Sequence, residues 1–564
     1  MYDLIIRGAE ICDGTGAARR RGDVAVRDGR IVEIGHVDGG ARRTIDAAGL
    51  VLAPGFIDLH THYDCQVSWD RLLTPSCWHG VTTVVMGNCG FTIAPCRPAD
   101  RELLMRMLLY VEGMPTEALR AGIRWEWETF PEYLDTIERW QPGLNIAAFV
   151  GHSAIRYYVM GAAATERAAT DAELARMQQI VRGAMRAGAC GFSTSESSTH
   201  FFGDGTPVPS RVAPRDEIRA LAAVLREFGR GITEVAPRHT IGGTDGKAED
   251  QQFYAEVATA SGRPVTWAPL QHSPFDPQGC LRLIEEAAAA QARGAPVVPQ
   301  VGCRPLEIRV SFSASSIAIE NNPFWRPIMQ KPETERRALF ASTGFRDGLR
   351  AMSPSGSWVA ALAPSWEQIF LRLSPVAAHA TYIDWPLTRI AATRAADPVD
   401  TLLDLSLESD LACQFGIPIL NTDESIVAQL IRHPGGVLAL SDAGAHVDTL
   451  ADQGFTTYLL GHWVRELQAL TLEEAVRLLT NTPARLYGLT GRGEVRPGFA
   501  ADLVLFDPAT VGLQRTELVH DLPGGAGRLI QRATGVEYVI VNGTALIDRG
   551  KETEARCGQV LRGI

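Results

Sequence analysis

Lysine is scarce in this sequence. Only three of its 54 basic residues are lysines, Lys247, Lys331 and Lys551, and the rest are arginines. Each lysine has polar or charged neighbours along the chain, which predicts a surface position for all three. Chemistry that depends on a buried lysine, such as a Schiff base or a carbamylated metal bridge, therefore has almost no candidate residue here.

Long apolar runs are missing as well. The sequence contains no stretch of about 18 or more apolar residues, which predicts that no segment spans a membrane. The N-terminal segment lacks the positive region and the apolar core of a signal peptide. We therefore expect a cytoplasmic protein.

The cysteine pattern and the charge exclude further classes. The ten cysteines include no Cys-x-x-Cys pair, which favours reduced thiols over a disulfide framework. A formal net charge of −11 would repel a phosphate backbone, which argues against nucleic acid as a partner. A hydrophobic content of 46% with 21% charged residues is typical of a globular enzyme.

Short strand-like segments and tight turns occur at both ends of the chain. Asp28-Gly29 near the start and Asn542-Gly543 near the end are hairpin signals. We expect residues 1–54 and 478–564 to pair into one small β-domain. Residues 55–477 would then be inserted between these two parts.

The middle of the chain alternates strand-like and helical segments. Thr170 and Glu173 form a capping box before an apolar helical pattern that ends at Gly188. Eight strands separated by helices predict an α/β fold, a TIM-like (β/α)8 barrel with its chemistry on loops at the C-terminal ends of the strands. The segment from about residue 303 to 398 is too long for one loop and is expected to form a lid over the barrel mouth. The predicted barrel strands are residues 50–56, 81–86, 146–150, 190–194, 231–235, 264–269, 417–420 and 437–440.

Two histidines follow the first predicted barrel strand. His60 and His62 are one residue apart, and alternate side chains of an extended backbone share a face. Two neutral imidazoles that converge on one point are suited to bind a metal ion. The pair is therefore the first element of a predicted metal site at the barrel mouth.

Cys89 and Glu234 are candidates for the same site. Cys89 follows the second strand with glycines close on both sides, which allow the backbone to bring the thiol to a ligand. A thiolate binds divalent metals strongly, although a lone cysteine is more often a packed small residue. Glu234 lies in an apolar strand, where a carboxylate is costly unless it binds metal or is paired within the protein.

Asp442 follows the last predicted strand, and His446 comes four residues later. In this position Asp442 could ligate metal, take a proton from an attacking water and deliver it to a leaving nitrogen. The alternative is a helix N-cap. His446 could bind substrate or orient Asp442, or it could be an ordinary loop histidine.

Four further residues are weaker candidates for substrate contacts. His152 ends the third strand, and Arg304 follows strand-like residues 297–301. A guanidinium such as that of Arg304 is a natural partner for a substrate carboxylate, although a surface arginine is equally compatible with the sequence. His239 and His272 follow the fifth and sixth strands, and either could reach the site, although each is more often a loop histidine.

These motifs resemble the metal-dependent amidohydrolase superfamily, and within it the D-aminoacylase branch of N-acyl-D-amino-acid deacylases. The resemblance runs nearly end to end, and the Gly-Asn-Cys-Gly motif is more specific to this branch than His-x-His. It is carried by DLIIRG (3–8), DGTG (13–16), PGFIDLHTHYD (54–64), GNCG (87–90), GFSTS (191–195), SD with His446 (441–446), TPA (482–484), GFAADL (498–503) and VLR (560–562).

The resemblance implies a zinc-dependent hydrolase, with one or two metal ions, that cleaves the amide of an N-acylated D-amino acid. Its ligand roles transfer to His60, His62 and Cys89, and the acid/base role transfers to Asp442. The family has histidine ligands at the ends of its fifth and sixth strands, where this chain has Glu234 and, near the expected position, Pro269. The expected partner is a small N-acyl substrate, and the oligomeric state stays open.

Three alternatives remain at this point. The substrate could be another amide, a cyclic amide or a carbamate handled by the same superfamily. The chain could also be a metal-dependent deaminase or a non-catalytic metal-binding relative. The acyl group, the side chain, the stereochemical preference and the number of metal ions stay undetermined.

Overall fold

Both ends of the chain contribute strands to one nine-stranded sheet. The structure is a computed structural model that describes residues 1–239, 245–313, 324–352 and 365–564. Numbered along the whole chain, the strands of this sheet are β1 (Tyr2–Ile11), β2 (Arg20–Arg27), β3 (Arg30–Gly35), β4 (Ala41–Asp46), β5 (Val51–Pro54), β17 (Leu503–Phe506), β20 (Val536–Val541), β21 (Thr544–Asp548) and β22 (Lys551–Glu552). Their order is β22-β21-β20-β17-β5-β1-β2-β3, and β4 pairs in parallel with β1.

Both predicted hairpin turns are confirmed. Asp28 and Gly29 have φ angles of 50° and 71° and connect the antiparallel strands β2 and β3. Asn542 and Gly543, at 47° and 82°, connect β20 and β21 in the same way. Positive φ at both central positions matches the right-handed twist of the paired strands, which explains the Asp-Gly and Asn-Gly sequences.

The middle of the chain forms the predicted (β/α)8 barrel. Its eight parallel strands are buried apolar segments because helices cover their outer faces. Thr61 pairs with Ala443, just beyond the last strand, and this bridge closes the barrel. In their order around the sheet the strands are β6 (Phe56–Thr61), β7 (Val81–Met86), β8 (Asn145–Gly151), β9 (Gly191–Ser195), β10 (Ile232–Ala236), β11 (Val265–Leu270), β12 (Val297–Val301) and β16 (Val437–Leu438).

The first predicted strand, residues 50–56, is divided between the two sheets. Gly55 separates β5 of the terminal sheet from β6 of the barrel, and its N–H donates to the carbonyl of Asp502. A Cβ on Gly55 would lie 2.1 Å from Oγ1 of Thr82, so only glycine fits here. As a result the barrel strand begins later than predicted, and His60 lies inside it.

One predicted barrel strand is wrong. Residues 417–420 belong to β15 (Gln414–Leu420), which pairs antiparallel with β13 (Leu306–Ser311) and β14 (Phe370–Leu373) outside the barrel. The seventh barrel strand is β12. A short apolar run has the same pattern in either sheet, so periodicity alone does not assign it.

The three strands β13, β14 and β15 belong to an inserted cap. The cap has its own apolar core, which includes Trp325, Phe340 and Phe415. It extends to Leu420, past the expected end near residue 398, because β15 completes its sheet. Its described α-helices are Arg326–Met329, Glu333–Ala341, Thr343–Met352, Leu387–Arg394 and Pro398–Glu408.

Helices surround the barrel, and a hairpin of β18 (Gly512–Val519) and β19 (Arg528–Thr534) packs near them. The predicted capping box is confirmed at Asp171–Ala187, where Thr170 and Glu173 cap each other and Gly188 ends the helix. The other described α-helices outside the cap are Arg101–Glu112, Thr116–Gly122, Phe130–Trp140, His152–Met160, Pro209–Val212, Arg215–Ala222, Asp245–Ser261, Gly279–Ala292, Glu424–Arg432, Phe455–Tyr458, Leu472–Leu479 and Asn481–Tyr487, with a π-helix at Leu459–Glu466.

Two expectations from composition can be compared with the fold. All ten cysteines are free thiols, in agreement with the missing Cys-x-x-Cys pair. Lys247 was expected at the surface but is only 7% exposed, because its helix Asp245–Ser261 packs against the barrel. Among the described residues, no helix is both long enough and apolar enough to cross a membrane.

Candidate metal centre

His60 and His62 lie at the C-terminal end of the first barrel strand. His60 is still within β6, and His62 is anchored one residue beyond it by an N–H that donates to the carbonyl of Ala443. Both side chains are buried, and their ring centroids are 5.3 Å apart. Burial lowers the pKa of each imidazole, which favours the neutral form that binds metals.

Each imidazole presents the same nitrogen to the interior of the mouth. The Nδ1–H of His60 donates to Oε1 of Gln300 on β12 at 2.8 Å. Nδ1 of His62 lies 3.4 Å from Oε1 of Glu112, the last residue of the helix Arg101–Glu112. The bond to Gln300 leaves Nε2 of His60 for a ligand, an arrangement common among metal-binding histidines, whereas Nδ1 of His62 has a carboxylate nearby but no hydrogen-bond partner among the described residues.

Cys89 completes a compact group with the two histidines. Its Sγ lies 3.5 Å from Nε2 of His60, and the donor atoms of His60, His62 and Cys89 all lie within 4.8 Å of one another. The backbone reaches this position through left-handed φ angles at Gly87, Cys89 and Gly90, of 82°, 55° and 75°. The flanking glycines accept this conformation at little cost.

Glu234 contacts the cysteine loop rather than this group. On β10 its Oε2 accepts the backbone N–H of Cys89 at 2.6 Å, while its buried Oε1 has no hydrogen-bond partner among the described residues. Burial raises the pKa of Glu234 to about 8. The lone carboxylate in an apolar strand therefore supports the loop that carries the thiol.

Asp442 faces the two histidines from the loop after β16. Its Oδ1 lies 3.4 Å from Nε2 of His60 and 3.8 Å from Nε2 of His62. The side chain is 28% exposed, unlike the imidazoles, so it is open to the barrel mouth. Gly444 makes this approach possible, since a Cβ there would lie 2.6 Å from the carbonyl oxygen of His62.

His446 lies in the same loop, close to the helix that carries Glu112. Its N–H donates to the carbonyl of Glu112, and its φ is 47°. It acts electrostatically on His60 and His62, which places its half-buried ring at the mouth. The structure thus brings His446 to the predicted site.

The sequence of the chain matches a known family. A family model described as the amidohydrolase family matches residues 43–332 and 359–547. The chain belongs to the amidohydrolase family. This amidohydrolase is a metal-dependent enzyme that hydrolyses amide C–N bonds other than peptide bonds, and the resemblance to the D-aminoacylase branch is confirmed by its relatives.

Those relatives are similar over nearly their whole length. The amidohydrolase is 31% identical to N-acyl-D-aspartate deacylase of Alcaligenes xylosoxydans xylosoxydans over 571 residues, which cover 99% of this chain and 95% of the relative. It is 29% identical to D-aminoacylase of the same organism over 574 residues, or 99% and 97% of the two chains.

A solved structure agrees with these sequences. The crystal structure of N-acyl-D-glutamate deacylase from Bordetella bronchiseptica superposes with a TM-score of 0.67 at 26% identity and covers 100% of this chain and 99% of that one. That enzyme is described in complex with zinc and a phosphonate inhibitor that mimics the tetrahedral intermediate.

The residues of this amidohydrolase fit a divalent cation. Two imidazoles, a thiol and a carboxylate are ligands that zinc accepts. Burial, together with the charges of Asp442, Asp64 and Glu234, raises the pKa of Glu112 well above its usual value. Burial, and after it Glu234, Glu112 and Asp442, likewise raises the pKa of the Cys89 thiol. A cation among these groups would reverse both effects by stabilising their charged forms.

The structure does not bring His152 and Arg304, which were predicted to contact substrate, to the metal-binding group. His152 is fully buried at the start of the helix His152–Met160, with Nδ1 bonded to Thr194 Oγ1 at 2.8 Å and Nε2 to Glu217 Oε1 at 2.9 Å. Both ring nitrogens are used within the protein, so the structure does not bring His152 to the mouth. The strand end was predicted, but the side chain does not face the mouth as expected, because His152 begins a helix and its ring is bonded to Thr194 and Glu217.

The side chain of Arg304 likewise contacts other groups of the protein. Its guanidinium donates to the carbonyl of Ala451 at 3.0 Å and to Oε1 of Gln531 at 3.1 Å, and lies 3.6 Å from Asp452. These contacts tie the loop after β12 to β19 instead of presenting a cation to substrate. A guanidinium reaches far from its backbone, so position in sequence does not determine its partner.

The two histidines interpreted as loop residues also lie outside the group. Nδ1 of His239 bonds to Asp250 at 2.9 Å, and the backbone N–H of His272 donates to Asn421.

Sequence reasoning missed Glu112 and Gln300 beside the two histidines, and also His200, whose ring packs on Phe91 near Cys89. Gln300 is a lone amide in the apolar strand β12, a signal that could have been used. Glu112 ends a surface-like helical pattern, and His200 lies in a polar loop, so neither has a distinctive local signal.

Proposed function

We propose that this amidohydrolase removes the acyl group from an N-acyl-D-amino acid. The observation that carries this proposal is the compact group of His60, His62 and Cys89 at the barrel mouth, with the carboxylate of Asp442 within 4 Å of Nε2 of both histidines. Relatives named D-aminoacylase and N-acyl-D-aspartate deacylase, similar over almost the full chain, support this substrate class.

In this proposal His60, His62 and Cys89 hold a zinc ion together with Asp442. When bound, the ion supplies a Lewis acid that polarises the substrate carbonyl and favours ionisation of water. Gln300 orients His60 through its hydrogen bond to Nδ1, and the carboxylate of Glu112 lies 3.4 Å from Nδ1 of His62.

Asp442 carries the proton in this mechanism. Its carboxylate removes a proton from the attacking water and delivers it to the nitrogen of the departing amino acid. Its partial exposure at the mouth, unlike the buried imidazoles, lets it reach both the water and the leaving group. No lysine is required, in keeping with the scarcity of that residue.

Metal analysis joined to a substrate screen tests the proposal. We expect the purified chain to contain zinc and to release free amino acid from N-acetyl-D-amino acids faster than from the L-enantiomers. The screen should include a cyclic amide, a carbamate and an aminopurine, because these report the alternative substrates. Turnover of any of these in place of all the N-acyl amino acids would reject the proposed substrate.

A further inference from the structure

His200 presents a hydrogen-bond donor at the barrel mouth. It lies in the loop after β9, where its Nδ1 is 2.7 Å from Oγ of Ser195. That hydroxyl accepts the N–H of Ser197 and can also donate its own hydrogen to Nδ1 of His200. Burial lowers the pKa of His200 to about 3, so the ring is neutral. In the tautomer whose Nδ1 accepts from Ser195, the ring hydrogen is on Nε2, and a carboxylate bound at Nε2 would stabilise this tautomer.

His200 lies close to the loop that carries Cys89. Its ring packs on Phe91, two residues after Cys89, with centroids 5.0 Å apart. It interacts electrostatically with His446 and His60. Within residues 1–239, 245–313, 324–352 and 365–564 the Nε2 atom of His200 has no hydrogen-bond partner, so this nitrogen is left for a ligand.

Arg211 adds a positive charge beside this donor. Its Nη1 donates to the backbone carbonyl of His200 at 3.0 Å, and its charge acts on the His200 ring. No carboxylate in the described part of the chain lies within ion-pair distance of Arg211. The nearby acid Glu196 is already paired with Arg215 and Arg238.

A half-buried guanidinium without an acid is unusual in a chain of net charge −11. Partial burial lowers the pKa of Arg211, and no carboxylate offsets this cost. A planar guanidinium next to a neutral N–H donor is complementary to a carboxylate, which accepts hydrogen bonds at both of its oxygens.

We propose that Arg211 and His200 form a subsite that binds a carboxylate of the substrate. The inference rests on the proposed function, since it assigns the group that recognises the anionic end of an N-acyl amino acid. It also replaces Arg304 in the role that the sequence suggested for that residue.

Binding of matched acid and amide ligands tests the subsite. N-acetyl-D-leucine and its neutral amide, N-acetyl-D-leucinamide, are titrated calorimetrically into the metal-loaded full chain, with Asp442→Asn as background to prevent hydrolysis. We expect this protein to bind the acid at least about 10-fold more tightly than the amide, and Arg211→Gln to weaken acid binding about 10- to 100-fold without affecting the amide.

Two further variants make the result specific. Arg106→Gln is the matched control, because Arg106 is an exposed arginine already paired with Asp204 at 2.6 Å. His200→Phe removes the neutral donor and should cost about 5- to 10-fold in acid binding alone. The proposal would be overturned if Arg211→Gln and His200→Phe changed neither the ratio of acid to amide affinity nor the affinity for N-acetyl-D-glutamate.

A second ligand pair identifies which carboxylate is bound. If the α-carboxylate occupies the subsite, Arg211→Gln weakens N-acetyl-D-glutamate and N-acetyl-D-glutamine equally. If the side-chain carboxylate does, only N-acetyl-D-glutamate is affected. Failure of the proposed function has a different signature, since the metal-loaded wild-type chain would hydrolyse no N-acyl amino acid while the binding ratios still decide the subsite.

Discussion

The backbone N–H of Cys89 donates a 2.6 Å hydrogen bond to Oε2 of Glu234, so a carboxylate on the fifth barrel strand supports the loop after the second. Both residues are buried, and the loop is otherwise held by left-handed backbone conformations. The position of the thiol relative to His60 therefore depends on an acid more than a hundred residues away in sequence.

Two substitutions of Glu234 should distinguish between its two possible roles, which are to support the Cys89 loop or to ligate the metal. Glu234→Gln keeps an oxygen that accepts the Cys89 N–H, and we expect zinc affinity within about 3-fold of wild type. Glu234→Ala leaves this N–H without a partner, and affinity should fall about 10- to 100-fold. Competition with a chelator measures both values. An equal and large loss in the two variants would instead identify Glu234 as a ligand.

Asp442→Asn should abolish proton transfer but leave metal binding by His60, His62 and Cys89 intact. Asparagine preserves the shape of the side chain, but its amide is too weak a base to take a proton from water. We expect kcat to fall by about 10²- to 10⁴-fold. Elemental analysis should show the metal still bound, and Asp216→Asn, at a side chain 88% exposed, serves as the control. Undiminished turnover would remove Asp442 from the mechanism.

Gly444→Ala should lower the free energy of unfolding more than an alanine substitution at a comparable glycine outside the site. Gly444 has φ 91°, and its Cβ would lie 2.6 Å from the carbonyl oxygen of His62. Gly498 has φ 88° with nothing within 4 Å of its Cβ, so Gly498→Ala carries only the backbone strain of about 1–2 kcal/mol. Urea unfolding should show a clearly larger decrease in the free energy of unfolding for Gly444→Ala than for Gly498→Ala. Equal losses would mean that the loop moves freely away from His62.

The free energy of unfolding should depend on pH because the ring of His79 is buried in its neutral form. Its buried ring bonds to Thr457 and to the carbonyl of Gln531, joining the barrel to β19. Burial lowers the pKa of His79 to about 4, although the bond to Gln531 opposes the shift. The unfolded chain, with an ordinary pKa of about 6.5, binds more protons as pH falls below that value.

Stability contributed by neutral His79 is therefore present above pH about 6.5 and decreases as pH falls toward 4, by up to about 1.4 kcal/mol per unit. His79→Gln removes the titrating group, so the difference in unfolding free energy between wild type and variant should narrow between pH about 7 and about 5. Parallel curves over this range would contradict the assignment.

The sequence predicted the barrel class of the fold and the three residues, His60, His62 and Cys89, that the structure brings together. His-x-His after an apolar strand, the Gly-Asn-Cys-Gly motif and Ser441-Asp442 are local patterns, and their positions at strand ends follow from strand and helix periodicity. Parallel barrel strands place their C-terminal ends on one face, which is why residues far apart in sequence could be predicted to share a site. Their chemical roles remain the proposal made above.

Only the tertiary structure decided where side chains point and which elements pair. His152 turns into a buried contact with Glu217, Arg304 is taken by Ala451 and Gln531, and residues 417–420 pair within the cap. The contacts of Gln300 with His60 and of Arg211 with His200 join residues that lie far apart or on loops, and the sequence does not reveal them. The physical reason is that hydrogen bonds and charge pairing depend on distances between side chains, which local patterns do not contain.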